Sequence, residues 1–116
     1  MSILTGLTGI VDGTANGETI DTSFIDTDGN TIVSNEDARV LGYGGDDIIH
    51  TGAGQDIVDG GTGDDDISTN SGDDVIHGNV GDDTIATGAG DDSVKGDNGN
   101  DNLLDDADTA TSFAQY

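Results

Sequence analysis

The sequence predicts an all-β chain folded as a parallel β-roll, a solenoid whose short strands stack coil upon coil. Three observations predict it. From Gly42 the chain divides into seven blocks of nine residues without an insertion. Every block carries glycine at its fourth place and aspartate at its sixth, and every block carries an aliphatic residue at its eighth. Internal periodicity of this kind is the mark of a repeat architecture, in which each unit buries its apolar face only by stacking on its neighbours.

The blocks read GYGGDDIIH (42–50), TGAGQDIVD (51–59), GGTGDDDIS (60–68), TNSGDDVIH (69–77), GNVGDDTIA (78–86), TGAGDDSVK (87–95) and GDNGNDNLL (96–104). The eighth places are Ile49, Val58, Ile67, Ile76, Ile85, Val94 and Leu103. Side chains alternate across a strand, so an aliphatic residue in a three-residue extended segment points inward while places seven and nine point out. The fourth places, Gly45, Gly54, Gly63, Gly72, Gly81, Gly90 and Gly99, supply the positive φ that a tight turn needs. The sixth places, Asp47, Asp56, Asp65, Asp74, Asp83, Asp92 and Asp101, close that turn and present a carboxylate at its rim. One block is then a turn and a strand, two blocks complete a coil, and successive coils pair as parallel strands about 4.8 Å apart.

Alternate blocks become neighbours in this arrangement. Asp47, Asp65, Asp83 and Asp101 form one ladder, and Asp56, Asp74 and Asp92 form the opposite one. Adjacent carboxylates roughly 5 Å apart repel by about 0.8 kcal/mol even at the dielectric of water. Asp46, Asp64, Asp73, Asp82 and Asp91 at the fifth place add to the load. Such a fold needs a counterion. Glycine-rich turns offer carbonyl oxygens beside carboxylates, and Ca²⁺ accepts about six to eight such oxygens in irregular geometry where Mg²⁺ demands a tighter octahedron. Calcium is the expected ion.

The composition agrees. The formal net charge is −23, with 25 acidic residues against Arg39 and Lys95. Apolar residues make up 31% and aromatics 3%, a balance that on its own describes a chain unable to fold unaided. Nucleic acid and anionic membranes are excluded as expected partners, because both are polyanions that recruit Lys and Arg. The absence of cysteine removes disulfides and thiolate metal sites. The opening segment has neither a basic region nor a long apolar stretch, so no cleavable secretory signal is expected.

The blocks resemble the RTX (hemolysin-type) calcium-binding nonapeptide, G-G-x-G-x-D-x-U-x with U a large aliphatic residue. The resemblance covers 42–104; GGTGDDDIS is a complete match, whereas TNSGDDVIH lacks glycine at places one and two. It implies a right-handed parallel β-roll with Ca²⁺ between successive turns on each edge. It further implies that the sixth-place aspartates listed above are ligands, with turn carbonyls, those of the fourth-place glycines included, supplying most of the rest. Turns without the glycine pair are expected to bind more weakly. About three sites fall on one edge and two on the other by pairing ladder neighbours. The resemblance also implies export by a type I channel with an uncleaved C-terminal signal, and folding in the calcium-rich exterior, secreted or at the cell surface.

The flanks divide the chain into 1–41, 42–104 and 105–116. Residues 1–41 leave the register: GTANGETID (13–21) reads as a decayed block, with Ile20 at place eight but Asn16 and Glu18 at the Gly and Asp places. Their expected role is an N-terminal cap over an open roll end. Ile48, Ile57 and Val75 at outward places call for an apolar cover, for which Phe24, Ile25, Ile32 and Val33 are candidates. Asp26 to Asn30 alternates oxygens as calcium loops do, but Gly29 at place four and the lack of a glutamate at place twelve favour a polar turn. Residues 105–116 are the expected C-terminal cap and secretion tail, acidic and then mildly apolar.

No catalytic residue emerges, and the chain is not expected to be an enzyme. His50 and His77 fall on opposite sheets in this register and read as surface histidines. An acid catalyst needs its pKa raised by an apolar pocket, whereas these carboxylates recur identically, as structural ligands do. The glycine clusters lack the lysine of a phosphate cradle. Two functional classes remain: a calcium-folded structural protein of the cell exterior that assembles with itself, and a monomeric module serving as a folding and export aid or a polysaccharide-contacting appendage of an enzyme. The meagre apolar content after Leu103 and Leu104, with Phe113 and Tyr116, favours assembly.

Overall fold

Aliphatic residues every nine places, bracketed by glycine and aspartate, leave room for strands of only three residues or so. A computed structural model describes residues 10–21, 36–104 and 112–115, with Ile10 and the last segment described by backbone alone. Its strands are β1 (Ile10–Asp12), β2 (Thr19–Ile20), β3 (Arg39–Leu41), β4 (Ile48–His50), β5 (Ile57–Asp59), β6 (Asp66–Ser68), β7 (Val75–His77), β8 (Thr84–Ala86), β9 (Ser93–Asp97), β10 (Asn102–Leu104) and β11 (Ser112–Gln115). They alternate between two wholly parallel sheets, β1-β3-β5-β7-β9-β11 and β10-β8-β6-β4-β2. The architecture is the parallel β-solenoid that the period predicts, and equivalent residues eighteen apart pair directly, as Ile49 with Ile67 and Val58 with Ile76.

The core is a double file. Val11, Val40, Val58, Ile76 and Val94 line one sheet, and Ile20, Ile49, Ile67 and Ile85 line the other, all but completely buried, with Leu103 packed against them. Each such side chain contributes roughly 1.5–3 kcal/mol by leaving water. Places seven point out as alternation requires: Ile48, Ile57 and Val75 are exposed. The four candidates to cover them, Phe24, Ile25, Ile32 and Val33, lie outside the described residues, as do Asp26 to Asn30.

The coil reaches further toward the N-terminus than the seven blocks. Ile20 does occupy a core place in β2, and β3 continues the register one block upstream of Gly42, with Val40 at the eighth place of 33–41. Sequence reading stops at Gly42 because Glu36 and Ala38 stand where glycine and aspartate recur. The strand forms regardless, since Val40 finds Val58 and Val11 on either side.

The turns hold two left-handed places each. The fourth-place glycines have φ between 87° and 136°. A Cβ on Gly63, Gly72, Gly81, Gly90 or Gly99 would collide with the carbonyl oxygen of the glycine one coil earlier, so conformation and space both demand glycine there. At place two the left-handed backbone survives without glycine, as Tyr43 (φ 70°), Asn70 (69°), Asn79 (75°) and Asp97 (67°) show. Asparagine and aspartate tolerate that region better than other side chains, which explains three of the four.

Candidate metal centre

Each edge of the solenoid is a stack of six-residue turns, and the stacking consumes most backbone groups. The third-place amide donates to the second-place carbonyl one coil back, as Thr62 to Tyr43 at 2.7 Å and Ala89 to Asn70 at 2.8 Å. The fourth-place amide donates to the third-place carbonyl one coil on, as Gly63 to Val80 at 2.9 Å. The fourth-place carbonyls, from Gly45 to Gly81 on one edge and from Gly54 to Gly72 on the other, form files that face the next glycine along.

The sixth-place aspartates do not sit at the rim; they turn inward and are buried. Asp47, Asp56, Asp65, Asp74, Asp83 and Asp92 are each 3% exposed or less. Their Oδ1 atoms accept the sixth-place amide of the preceding coil, from Asp47 N–H to Asp65 and from Asp65 N–H to Asp83 at 2.9 Å on one edge. On the other edge Asp56 N–H donates to Asp74 at 2.8 Å and Asp74 N–H to Asp92 at 2.9 Å. The ladders extend upstream, where Glu18 and Ala38 donate their amides to Asp47 and Asp56 at 2.8 Å. Fifth-place aspartates run the opposite way: Asp64 N–H donates back to Asp46, Asp82 to Asp64 and Asn100 to Asp82, each at 2.9 Å. Sequence reading took the fifth place only as added charge. It is a second, exposed rail of carboxylates clamping successive coils.

One oxygen of each buried carboxylate is therefore spent; the other accepts the Thr51 hydroxyl in Asp56 and is left over in the rest. Oδ2 of Asp47, Asp65, Asp74, Asp83 and Asp92 is buried without a protein hydrogen bond. An unpaired carboxylate oxygen away from water is costly unless a cation reaches it. The electrostatics register this. Burial pushes Asp65 up to about 7 and Asp47, Asp74 and Asp83 up to about 6, against the pull of the backbone amide each one accepts and with a further push from neighbouring carboxylates. Asp56 is also raised by burial, opposed first by the Thr51 hydroxyl.

The donor set fits calcium. All of the available atoms are oxygens, they are partly anionic, and they repeat along files rather than meeting in one cage. Among the described residues no three His, Cys, Asp or Glu side chains converge on a point; carboxylate oxygens beside turn carbonyls are a mixed set that Ca²⁺ accepts. His50 lies on β4 and His77 on β7, in different sheets, as the register requires. Sequence reading missed the burial of Thr51, Thr69 and Thr87 at place one, although the alternation of glycine and threonine there is visible in the blocks.

Against known proteins, the family model for the RTX calcium-binding nonapeptide repeat (4 copies) matches residues 32–67, 41–76 and 68–103. Searches of curated proteins and of solved structures give no match.

Proposed function

Because this chain belongs to the RTX calcium-binding nonapeptide repeat family, and so is a calcium-binding repeat protein, we propose that it is an extracellular structural protein that folds on calcium and then assembles with itself. The observation that carries the folding step is the double file of buried carboxylates, in which the second oxygens of Asp47, Asp65, Asp74, Asp83 and Asp92 have no protein partner. Without a cation those oxygens oppose burial; with one they become the links between coils. The ligands are the sixth-place aspartates from Asp47 to Asp101, joined by turn carbonyls that include those of the fourth-place glycines.

Assembly is supported by what the fold leaves uncovered among the described residues. Strand β10 closes one end of its sheet with Leu103 only partly buried and Leu104 48% exposed, and Ile57 and Val75 are adjacent exposed residues on the other sheet. Unpaired strand ends of this kind template further pairing. Segment 1–41 supplies the first strands of the roll, β1 to β3, and caps its N-terminal end, and 105–116 serves as C-terminal cap and type I export tail. Size-exclusion chromatography with light scattering, in millimolar calcium and in chelator, tests both steps. A calcium-dependent rise in mass that chelator reverses is expected. Compaction at constant mass would instead identify a monomeric folding or export module, and an expanded monomer in both conditions would defeat the calcium switch.

A further inference from the structure

The two edges of the roll differ at the place that faces the buried aspartates. Position one is Gly42, Gly60, Gly78 and Gly96 on one edge. On the other it is Thr51, Thr69 and Thr87, and all three are completely buried. On the glycine edge the second carboxylate oxygen occupies the room a side chain would need: a Cβ on Gly42 would lie 2.7 Å from Asp47 Oδ2, and one on Gly60 would lie 2.5 Å from Asp65 Oδ2. On the threonine edge a methyl and a hydroxyl fill that room.

One of these hydroxyls acts directly on a carboxylate. Thr51 donates its Oγ1–H to Asp56 Oδ2 at 2.5 Å. Thr69 donates to the Thr87 carbonyl at 3.3 Å, tying one coil to the next. Thr87 Oγ1 and Asp92 Oδ2 stand five residues apart, as Thr51 and Asp56 do, and both are buried without a protein partner. The edges differ in one backbone bond as well, position-one amides reaching their carbonyls at 3.1 Å for Thr51, Thr69 and Thr87 against 2.7–2.8 Å for Gly42, Gly60 and Gly78.

We propose that Thr51, Thr69 and Thr87 make their edge of the roll calcium-sparing: Thr51 answers an Asp56 oxygen whose counterparts on the glycine edge have no protein partner, and Thr69 and Thr87 set a hydroxyl at the same five-residue spacing from Asp74 and Asp92. The glycine edge then fills first and sets the calcium level at which the chain folds. The threonine edge fills later and more weakly. A hydrogen bond to a charged group shifts an equilibrium by about tenfold to a hundredfold, which is the separation expected between the two classes of site. The inference rests on the aspartates being the ligands, and it adds which of them bind tightly and why.

Calorimetric calcium titration of the full chain tests it. Two classes are expected, the tight one from the pairs 47–65, 65–83 and 83–101 and the weak one from 56–74 and 74–92. The triple variant T51G/T69G/T87G moves the weak class into the tight one, whereas T51S/T69S/T87S leaves both in place. Equal affinity on both edges in the wild type, or a loss of sites in the glycine variant, would overturn the proposal, the latter because the hydroxyls would then be ligands themselves. If the glycine variant does not fold, T51V/T69V/T87V keeps the volume and removes the donor. Its calcium midpoint for folding, read by far-ultraviolet circular dichroism, is expected to rise, and an unchanged midpoint would overturn the proposal. Asp65→Asn separates the two levels of argument. It weakens the tight class if the aspartates are ligands, and an unchanged tight class would defeat that reading rather than the difference between edges.

Discussion

Replacing Asp65 by asparagine should change stability in opposite directions with and without calcium. Asp65 is 2% exposed, its Oδ1 accepts the Asp47 amide at 2.9 Å, and its Oδ2 has no protein partner. Asparagine keeps the Oδ1 acceptor, discards the charge and puts an amide group where Oδ2 was. Burial raises the carboxyl from 3.8 to about 7. A shift of that size costs the metal-free fold about 4 kcal/mol at neutral pH, and about 2 kcal/mol once solvent screening at so narrow an edge is allowed for. The unpartnered amide returns about 1 kcal/mol of that as its own desolvation penalty. The net effect in chelator is a gain of about 1 kcal/mol. In saturating calcium the variant lacks the carboxylate that the proposed sites 47–65 and 65–83 would share. A loss at least as large as the roughly 10- to 100-fold typical of outer-shell partners, at each of two sites, removes about 3–5 kcal/mol of stability. Urea unfolding followed by circular dichroism, in chelator and in millimolar calcium, measures both arms. If the metal-free wild type does not fold, trimethylamine oxide titration replaces urea, since excluded osmolytes strengthen burial, and the variant folds at the lower midpoint. Destabilisation of similar size in both conditions would refute the reasoning, because the carboxylate would then be satisfied by the protein itself.

Acid should substitute for calcium. Asp47, Asp74 and Asp83 near 6 and Asp65 near 7 in the fold, against 3.8 unfolded, mean that the native state holds more protons between those values. Stability of the metal-free roll is therefore fully present below about pH 4 and is lost as pH rises through 6 to 7. Circular dichroism in chelator should show strand at pH 4 and its loss by pH 7.5, and the reverse order would contradict the burial argument. Gly81→Ala meets both a φ of 136° and the carbonyl of Gly63, so it should cost about 2–4 kcal/mol from backbone strain and overpacking, measured by urea unfolding in calcium. Ile67→Ala should cost about 2–5 kcal/mol, while Asp66→Ala at the adjoining exposed place should fall within about 0.5 kcal/mol in the same assay.

What the sequence made legible, and what it did not, follows from which features recur at nine residues and which at eighteen. The inward file from Ile49 to Leu103, the turn glycines and the sixth-place aspartates recur in every block, so a period of nine exposes them and with them the fold and the ion. The direction of the aspartate side chains was misplaced at the rim, because a pattern of residue types does not say that the amide one coil back will draw each carboxylate inward. Block 33–41 escaped notice because Glu36 and Ala38 break the turn pattern, yet a strand needs only Val40 between Val11 and Val58 to pair. The edges differ on the longer period. Position one runs Gly42, Thr51, Gly60, Thr69, Gly78, Thr87, Gly96, and the core runs mainly to valine in one sheet and isoleucine in the other. Both alternations have the length of a coil, two blocks rather than one. Averaging the blocks into a single consensus erases them, and with them the chemical difference between the edges. A repeat folded two blocks to the coil has two kinds of environment, and its substitutions carry information only when odd and even blocks are compared among themselves. On that comparison threonine at place one is a consistent property of one edge, present in all three of its blocks from 51 to 95, rather than a scatter of imperfect matches.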